Sequence, residues 1–324
     1  MKPLRQTIAI AGTTARELVR NPAYAVLVGC GAALIALSPA FAVFHLGEQV
    51  KLIADLGLGT ALLVGLLIGV LGASWAVNEE LESLSALAIL AKPVSRMQFL
   101  LGKYFGVLAA AAEALVVLFV ALLFTLRAIA PDAADARLFL YCLAASVPLV
   151  AGGSVLFARP GMRSPRPVLT AALLVAAALG TVLGSHGVLA FLGRHVGGWS
   201  WPLVPAFAGV IFQVAVLAAV AVALATRLTL TANLPVIFAV FVLGQLAGQA
   251  RAGGGAASVL AWLLPDLGTL QFSDAVARHL SKGEFATGPA VPPEILAGAA
   301  AVAVAYVAGA LAVGGALFRR RDLQ

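Results

Sequence analysis

Acidic side chains are scarce, and three of them crowd into one short stretch. The chain has 14 Asp and Glu in 324 residues, with Glu79, Glu80 and Glu82 almost adjacent. The residue types that usually carry catalysis do not assemble. The four histidines, at positions 45, 186, 195 and 279, show neither HExxH nor any other ligand spacing, which disfavours a zinc enzyme. Cys30 and Cys142 both lie inside apolar runs and read as small buried hydrophobes, with no CxxC and no disulfide framework. The nearest approach to a phosphate cradle is Gly102-Lys103, but Tyr104 follows and Met97 occupies the place of the first glycine. GxxxxGK[ST] is therefore missing, and so is a GxSxG elbow. Work done by this chain must draw its energy from another chain or from an ion gradient.

The informative stretch runs from Asn78 to Gly106. Glu79, Glu80 and Glu82 are expected to open a short helix, where carboxylates favour the dipole. Leu81, Leu84, Ala88 and Ala91 line one face of that helix, and Lys92 closes it. Pro93 sits where a second helix can begin. A helix, a tight turn and a second helix entering an apolar span can carry force from a soluble partner into a membrane. Taken alone, the acidic cluster reads first as a solvated helix end. Glu113 lies about 15 Å beyond Lys103 along the helix, a depth at which a carboxylate marks a pathway or a partner. The competing reading is an acid that is protonated or hydrogen-bonded to a neighbouring helix. Gly57, Ala61, Gly65, Gly69 and Ala73 recur every four residues, a small-residue face for close helix packing inside the chain or, second, between two copies.

The elements that position these residues must be membrane helices. Apolar residues make up 62% of the chain and charged ones 11%, too little charge to cover a soluble surface. Eight stretches approach the ~20 apolar residues that a bilayer requires. They are Ala23–Phe44, Leu56–Val77, Tyr104–Leu126, Leu138–Ala158, Val168–Leu192, Pro202–Ala225, Asn233–Gln249 and Ile295–Phe318. The seventh is short and the fifth is interrupted at Gly184–Gly187, so the expectation is an all-α polytopic bundle of six to eight spans. With the N-terminus inside, fourteen of the 21 Lys and Arg fall on the cytoplasmic side, as the positive-inside rule asks. The net charge of +7 is then topological, and no nucleic-acid partner is implied.

One transmembrane domain, residues 1–324, is expected. Residues 1–21 form an amphipathic helix on the inner leaflet, with Asn21 and Pro22 starting the first span. Residues 78–103 form the cytoplasmic loop, and residues 251–293 form an external loop anchored by Trp262.

At this point the residues resemble a family. The acidic pair, the Leu-rich helix, Lys92-Pro93-Val94-Ser95-Arg96 and Gly102-Lys103-Tyr104 look like the signature of ABC-2 type permeases. They look most like the branch associated with copper-enzyme maturation and gliding-type exporters. The resemblance extends to the N-terminal helix, Thr229–Gly244, Leu264-Pro265-Asp266 and the terminal Phe318-Arg319-Arg320-Arg321-Asp322. It implies that Glu79, Glu80, Glu82, Lys92, Pro93, Arg96, Gly102 and Lys103 couple the chain to a separate ABC ATPase. ATP and Mg would be bound by that partner and no cofactor by this chain. A second permease copy, identical or not, would complete the path across the cell inner membrane, among its lipids. The family norm is six spans, and Leu138–Ala158 with Val168–Leu192 looks inserted. The reading is a permease subunit of an exporter. A proton-coupled secondary transporter using Glu113 and a non-transporting membrane scaffold are the alternatives.

Overall fold

The computed structural model describes residues 2–42, 49–82, 95–128, 203–253, 264–273, 275–276 and 291–319. These form α1 (Lys2–Arg20), α2 (Pro22–Ala42), α3 (Gln49–Glu82), α4 (Arg96–Ala128), α5 (Leu203–Ala225), α6 (Leu230–Gly253) and α7 (Pro293–Arg319), with a 3-10 turn at Gly268–Leu270. No strand occurs among the described residues. Six of the helices, α2 to α7, are long and apolar enough to cross a membrane, so the chain is a multi-pass helical membrane protein. The stretches Leu138–Ala158 and Val168–Leu192, the Lys92-Pro93 turn and Trp262 lie outside the described residues.

Local chemistry sets the helix starts. Asn21 Oδ1 accepts the Ala23 amide at 3.0 Å, so the Asn-Pro pair divides α1 from α2. At α4 the sequence Ser95-Arg96-Met97-Gln98 closes a capping box. The Gln98 amide donates to Ser95 Oγ at 3.2 Å, and the Ser95 amide donates to Gln98 Oε1 at 3.1 Å. Two expectations change. The seventh stretch is not short, because α6 spans 24 residues, about 36 Å at 1.5 Å per residue. Glu79, Glu80 and Glu82 do not open a separate helix but extend α3. No Pro or Gly separates Val77 from Glu82, and Glu and Leu are good helix formers, so the turns simply continue.

Helices α3, α4 and α5 form the centre. Gly57 lies against Leu122, Gly65 against Leu115 and Val214, and Gly69 against Ala218. Thus α3 runs antiparallel to α4 and parallel to α5. Phe119 and Phe207 stack with centroids 4.1 Å apart where α4 crosses α5. Helices α2, α6 and α7 surround this centre and leave large apolar side chains uncovered, among them Leu34, Leu37, Phe238, Leu246, Val304 and Val313. A helix apolar on all sides needs no solvent face when lipid is its solvent.

The two ends of the bundle differ. One gathers Asn78, Arg96, Arg227 and the end of α7, and is called here the Arg96 end. The other carries Arg251 and residues 264–276. There Arg251 pairs with Asp266 at 3.2 Å and donates to the Leu264 carbonyl at 2.9 Å. Tyr306 Oη also donates to that carbonyl, at 3.2 Å, so one backbone oxygen joins α6 to α7. Leu267, Leu270, Phe272 and Val276 are buried beneath.

Candidate functional site at the Arg96 end

Residues 83–94 lie outside the described residues, but both flanks are built into the bundle. On the α3 side, Asn78 Nδ2 donates to the Leu228 carbonyl at 3.3 Å, reaching the turn between α5 and α6. On the α4 side, Arg96 Nη1 donates to the Phe318 carbonyl at 2.9 Å. Arg227 Nη2 reaches the neighbouring Leu317 carbonyl at 2.8 Å. The last carbonyls of a helix lack intrahelical partners and carry partial negative charge, so two guanidinium groups there satisfy both needs of α7. The Arg96 guanidinium also lies 5.6 Å from the Phe318 ring centroid, and Phe318 stacks on Phe99 at 6.0 Å.

Gly102 and Lys103 do not project outward. Lys103 is 1% exposed, with its ammonium 5.5 Å from the Phe99 ring centroid, where an aromatic face attracts a cation. Gly102 lies against Ile10 and the Thr7 carbonyl, and Gly106 against Thr14 and the Ala11 carbonyl. This Gly-x-x-x-Gly pair lets α1 dock on α4, as small residues do between membrane helices. Further along α1, Leu18 fills the space over Gly72 of α3, which also faces Val107 of α4. The helix therefore has three strips. Thr7, Ala11, Thr14 and Leu18 face the bundle, Leu4 and Ile8 are exposed and apolar, and Arg5, Arg16, Glu17 and Arg20 are exposed and charged. An exposed apolar strip beside a charged one suits a helix at a membrane interface.

The structure thus brings Arg96, Gly102 and Lys103 to one end with α1, the α5–α6 turn and the end of α7. Glu79, Glu80 and Glu82 are on α3 at that same end. Glu113 is elsewhere, half-buried on α4. One turn before it, the Ala110 carbonyl accepts the Tyr24 hydroxyl at 3.2 Å. The small-residue face of α3 meets α4 and α5 within the chain, with Ala61 and Ala73 buried.

Several contacts were not foreseen from the sequence. The Ser95–Gln98 box and the Gly102–Gly106 pair carry readable spacings. Arg227 carries none, and neither does Asn233, whose Nδ2 donates to Ser74 Oγ at 2.9 Å inside the bundle. The Gln245–Gln213 amide contact at 3.2 Å is equally silent in sequence. No three His, Cys, Asp or Glu residues cluster among the described residues in a way that could hold a metal ion.

Comparison with known families adds one finding. Residues 6–158 match the family model described as ABC-2 family transporter protein, just under half of the chain. The matched part holds nearly all of α1, with α2, α3, α4, the acidic stretch and Glu113. The later helices α5, α6 and α7 lie beyond it. A search of curated proteins finds no match.

Proposed function

We propose that this multi-pass membrane protein, whose first half carries an ABC-2 transporter family domain, is the permease subunit of an exporter. ATP would be hydrolysed, with Mg, on a separate nucleotide-binding subunit. The observation that carries the reading is the way both flanks of residues 83–94 join the whole bundle. Through Asn78 a displacement at the loop reaches the α5–α6 turn, and through Arg96 it reaches the end of α7. Through Gly102 and Gly106 it reaches α1. A push on such a loop moves helices from both halves together, which is what a stroke delivered by an ATPase requires.

The charge distribution supports an inner-membrane orientation with the Arg96 end and both termini in the cytoplasm. The Lys92–Arg96 and Gly102–Tyr104 pattern supports the exporter branch associated with copper-enzyme maturation and gliding. A second permease copy would complete the translocation path. The test is purification of the tagged chain from its native membranes. An ATPase bearing a phosphate-binding loop is expected to accompany it. A Glu79→Lys, Glu80→Lys variant is expected to insert normally and to lose at least tenfold of that association or of its coupled ATP turnover, about 1.4 kcal/mol. Full association and coupling in the variant would overturn the assignment.

A further inference from the structure

Beside the Arg96 block, α1, α3 and the α5–α6 turn border an open cavity of about 550 Å³. That is room for a small ligand or a lipid headgroup. Its walls are polar where most of this protein is apolar. Thr14, Glu17, Ser74, Asn78 and Thr229 line it, with Trp75 as an aromatic wall. Among the described lining residues Glu17 is the one ionisable group, and no Lys or Arg takes part. This is unexpected at the end of the bundle richest in Arg.

The polar groups are mixed: Asn21 gives its oxygen to the Ala23 amide and keeps its nitrogen as a donor, whereas other groups offer acceptors. Asn78 commits its amide nitrogen to the Leu228 carbonyl, which leaves its side-chain oxygen as an acceptor. The Thr14 hydroxyl is fully buried and has no hydrogen-bond partner among the described residues. Its neighbour Thr13 bonds back to the Ala9 and Ile10 carbonyls instead. Buried polar atoms are rarely left unsatisfied, and the Thr14 hydroxyl in this wall calls for an explanation. The Glu17 carboxylate, the face of the Trp75 indole and the Asn78 oxygen attract a cation that donates hydrogen bonds.

We propose that this cavity binds a primary ammonium group, presented by the headgroup of an amino-phospholipid in the adjoining leaflet. The position supports that source. The exposed apolar residues Leu4 and Ile8 of α1 suit acyl chains, and exposed Arg16 suits the headgroup phosphate. A choline headgroup is also cationic, but it has no N–H to offer the acceptors. The proposal concerns binding by the chain alone, so its failure and that of the transport reading are separable.

The test uses the full chain, stripped of lipid in detergent and offered equal amounts of phosphatidylethanolamine, phosphatidylcholine and phosphatidylglycerol. Bound lipid is counted by native mass spectrometry. Phosphatidylethanolamine is expected to be retained about tenfold over phosphatidylcholine, the worth of about one charge-assisted hydrogen bond. Glu17→Gln on the exposed face of α1 is expected to cut that preference severalfold without affecting folding. Thr14→Val, which keeps the shape and removes the hydroxyl, is expected to lower the preference while leaving thermal stability equal or higher. Competition by water-soluble glycerophosphoethanolamine, as sensitive to Glu17→Gln as the lipid, would keep the ammonium chemistry and move its source to the aqueous phase. Equal retention of the ethanolamine and choline lipids, or a preference untouched by both substitutions, would overturn the proposal.

Discussion

Gly106→Ala is the sharpest test of how α1 is held. A methyl group at Gly106 would stand 2.6 Å from Thr14 Cβ and 2.8 Å from the Ala11 carbonyl oxygen. Carbon atoms settle at about 3.5–4.0 Å, so α1 must retreat by roughly 1 Å. A carbonyl on the partner's backbone cannot turn aside as a side chain can. Overpacking of this kind costs about 1–3 kcal/mol, offset by up to about 1 kcal/mol because alanine is a better helix former than glycine. A net loss of about 1–2 kcal/mol is expected. Gly102→Ala should cost somewhat less, because its methyl would stand 2.8 Å from Ile10 Cβ and 3.2 Å from the Thr7 carbonyl oxygen, both longer than the matching distances at Gly106. Gly12→Ala is the control: it lies on α1 with nothing within 4 Å. That change should be neutral or stabilising by up to about 1 kcal/mol. Denaturant titration in mixed micelles gives the stabilities, and hydrogen exchange over residues 2–20 reports whether α1 stays docked. If Gly106→Ala proves as stable as Gly12→Ala, with α1 equally protected, the close α1–α4 crossing is not what holds this helix.

The other outcomes follow from single contacts. Arg96→Met keeps an aliphatic stem over Phe318 but loses the bond to its carbonyl; a loss of about 1–2 kcal/mol and faster exchange in the last turn of α7 are expected. Asp266→Ala removes the partner of Arg251 and the acceptor of the Thr269 amide at 3.3 Å. That should cost about 2 kcal/mol, read by the same titration, and an unchanged midpoint would show the pair to be incidental. For Glu113→Gln, an exporter driven by ATP predicts transport and pH dependence like the parent, whereas loss of proton-dependent transport would favour the secondary-transporter alternative.

Six of the eight expected spans coincide with described helices, because the signal is local and additive. Some twenty apolar residues in a row mark a crossing whatever surrounds them. The Asn21-Pro22 boundary was equally legible, since the cap and the missing amide belong to adjacent residues. The acidic stretch misled at one point. Glutamates favour a helix start through the dipole, but that effect is smaller than the continuity of an unbroken α3, so Glu79, Glu80 and Glu82 extend a helix instead of opening one. The Gly102-x-x-x-Gly106 spacing was visible, but its use was not. Within a loop signature Gly102 reads as part of a docking motif, and only the position of α1 shows what it packs against.

By itself the sequence determined that this chain crosses a membrane repeatedly, that it lacks the motifs for its own ATP chemistry, and where its charge accumulates. Each of these follows from residue type and near-neighbour spacing. Only the tertiary structure decided which faces meet. Helices apolar on all sides carry no stripe to say which flank is inside. Arg96 and Arg227, 131 positions apart in the chain, share the end of α7. Ser74 and Asn233 find each other across 159 residues. The polar cavity between α1, α3 and the α5–α6 turn exists only once those three segments converge. Such contacts are set by the packing of the whole bundle, and no local period encodes them.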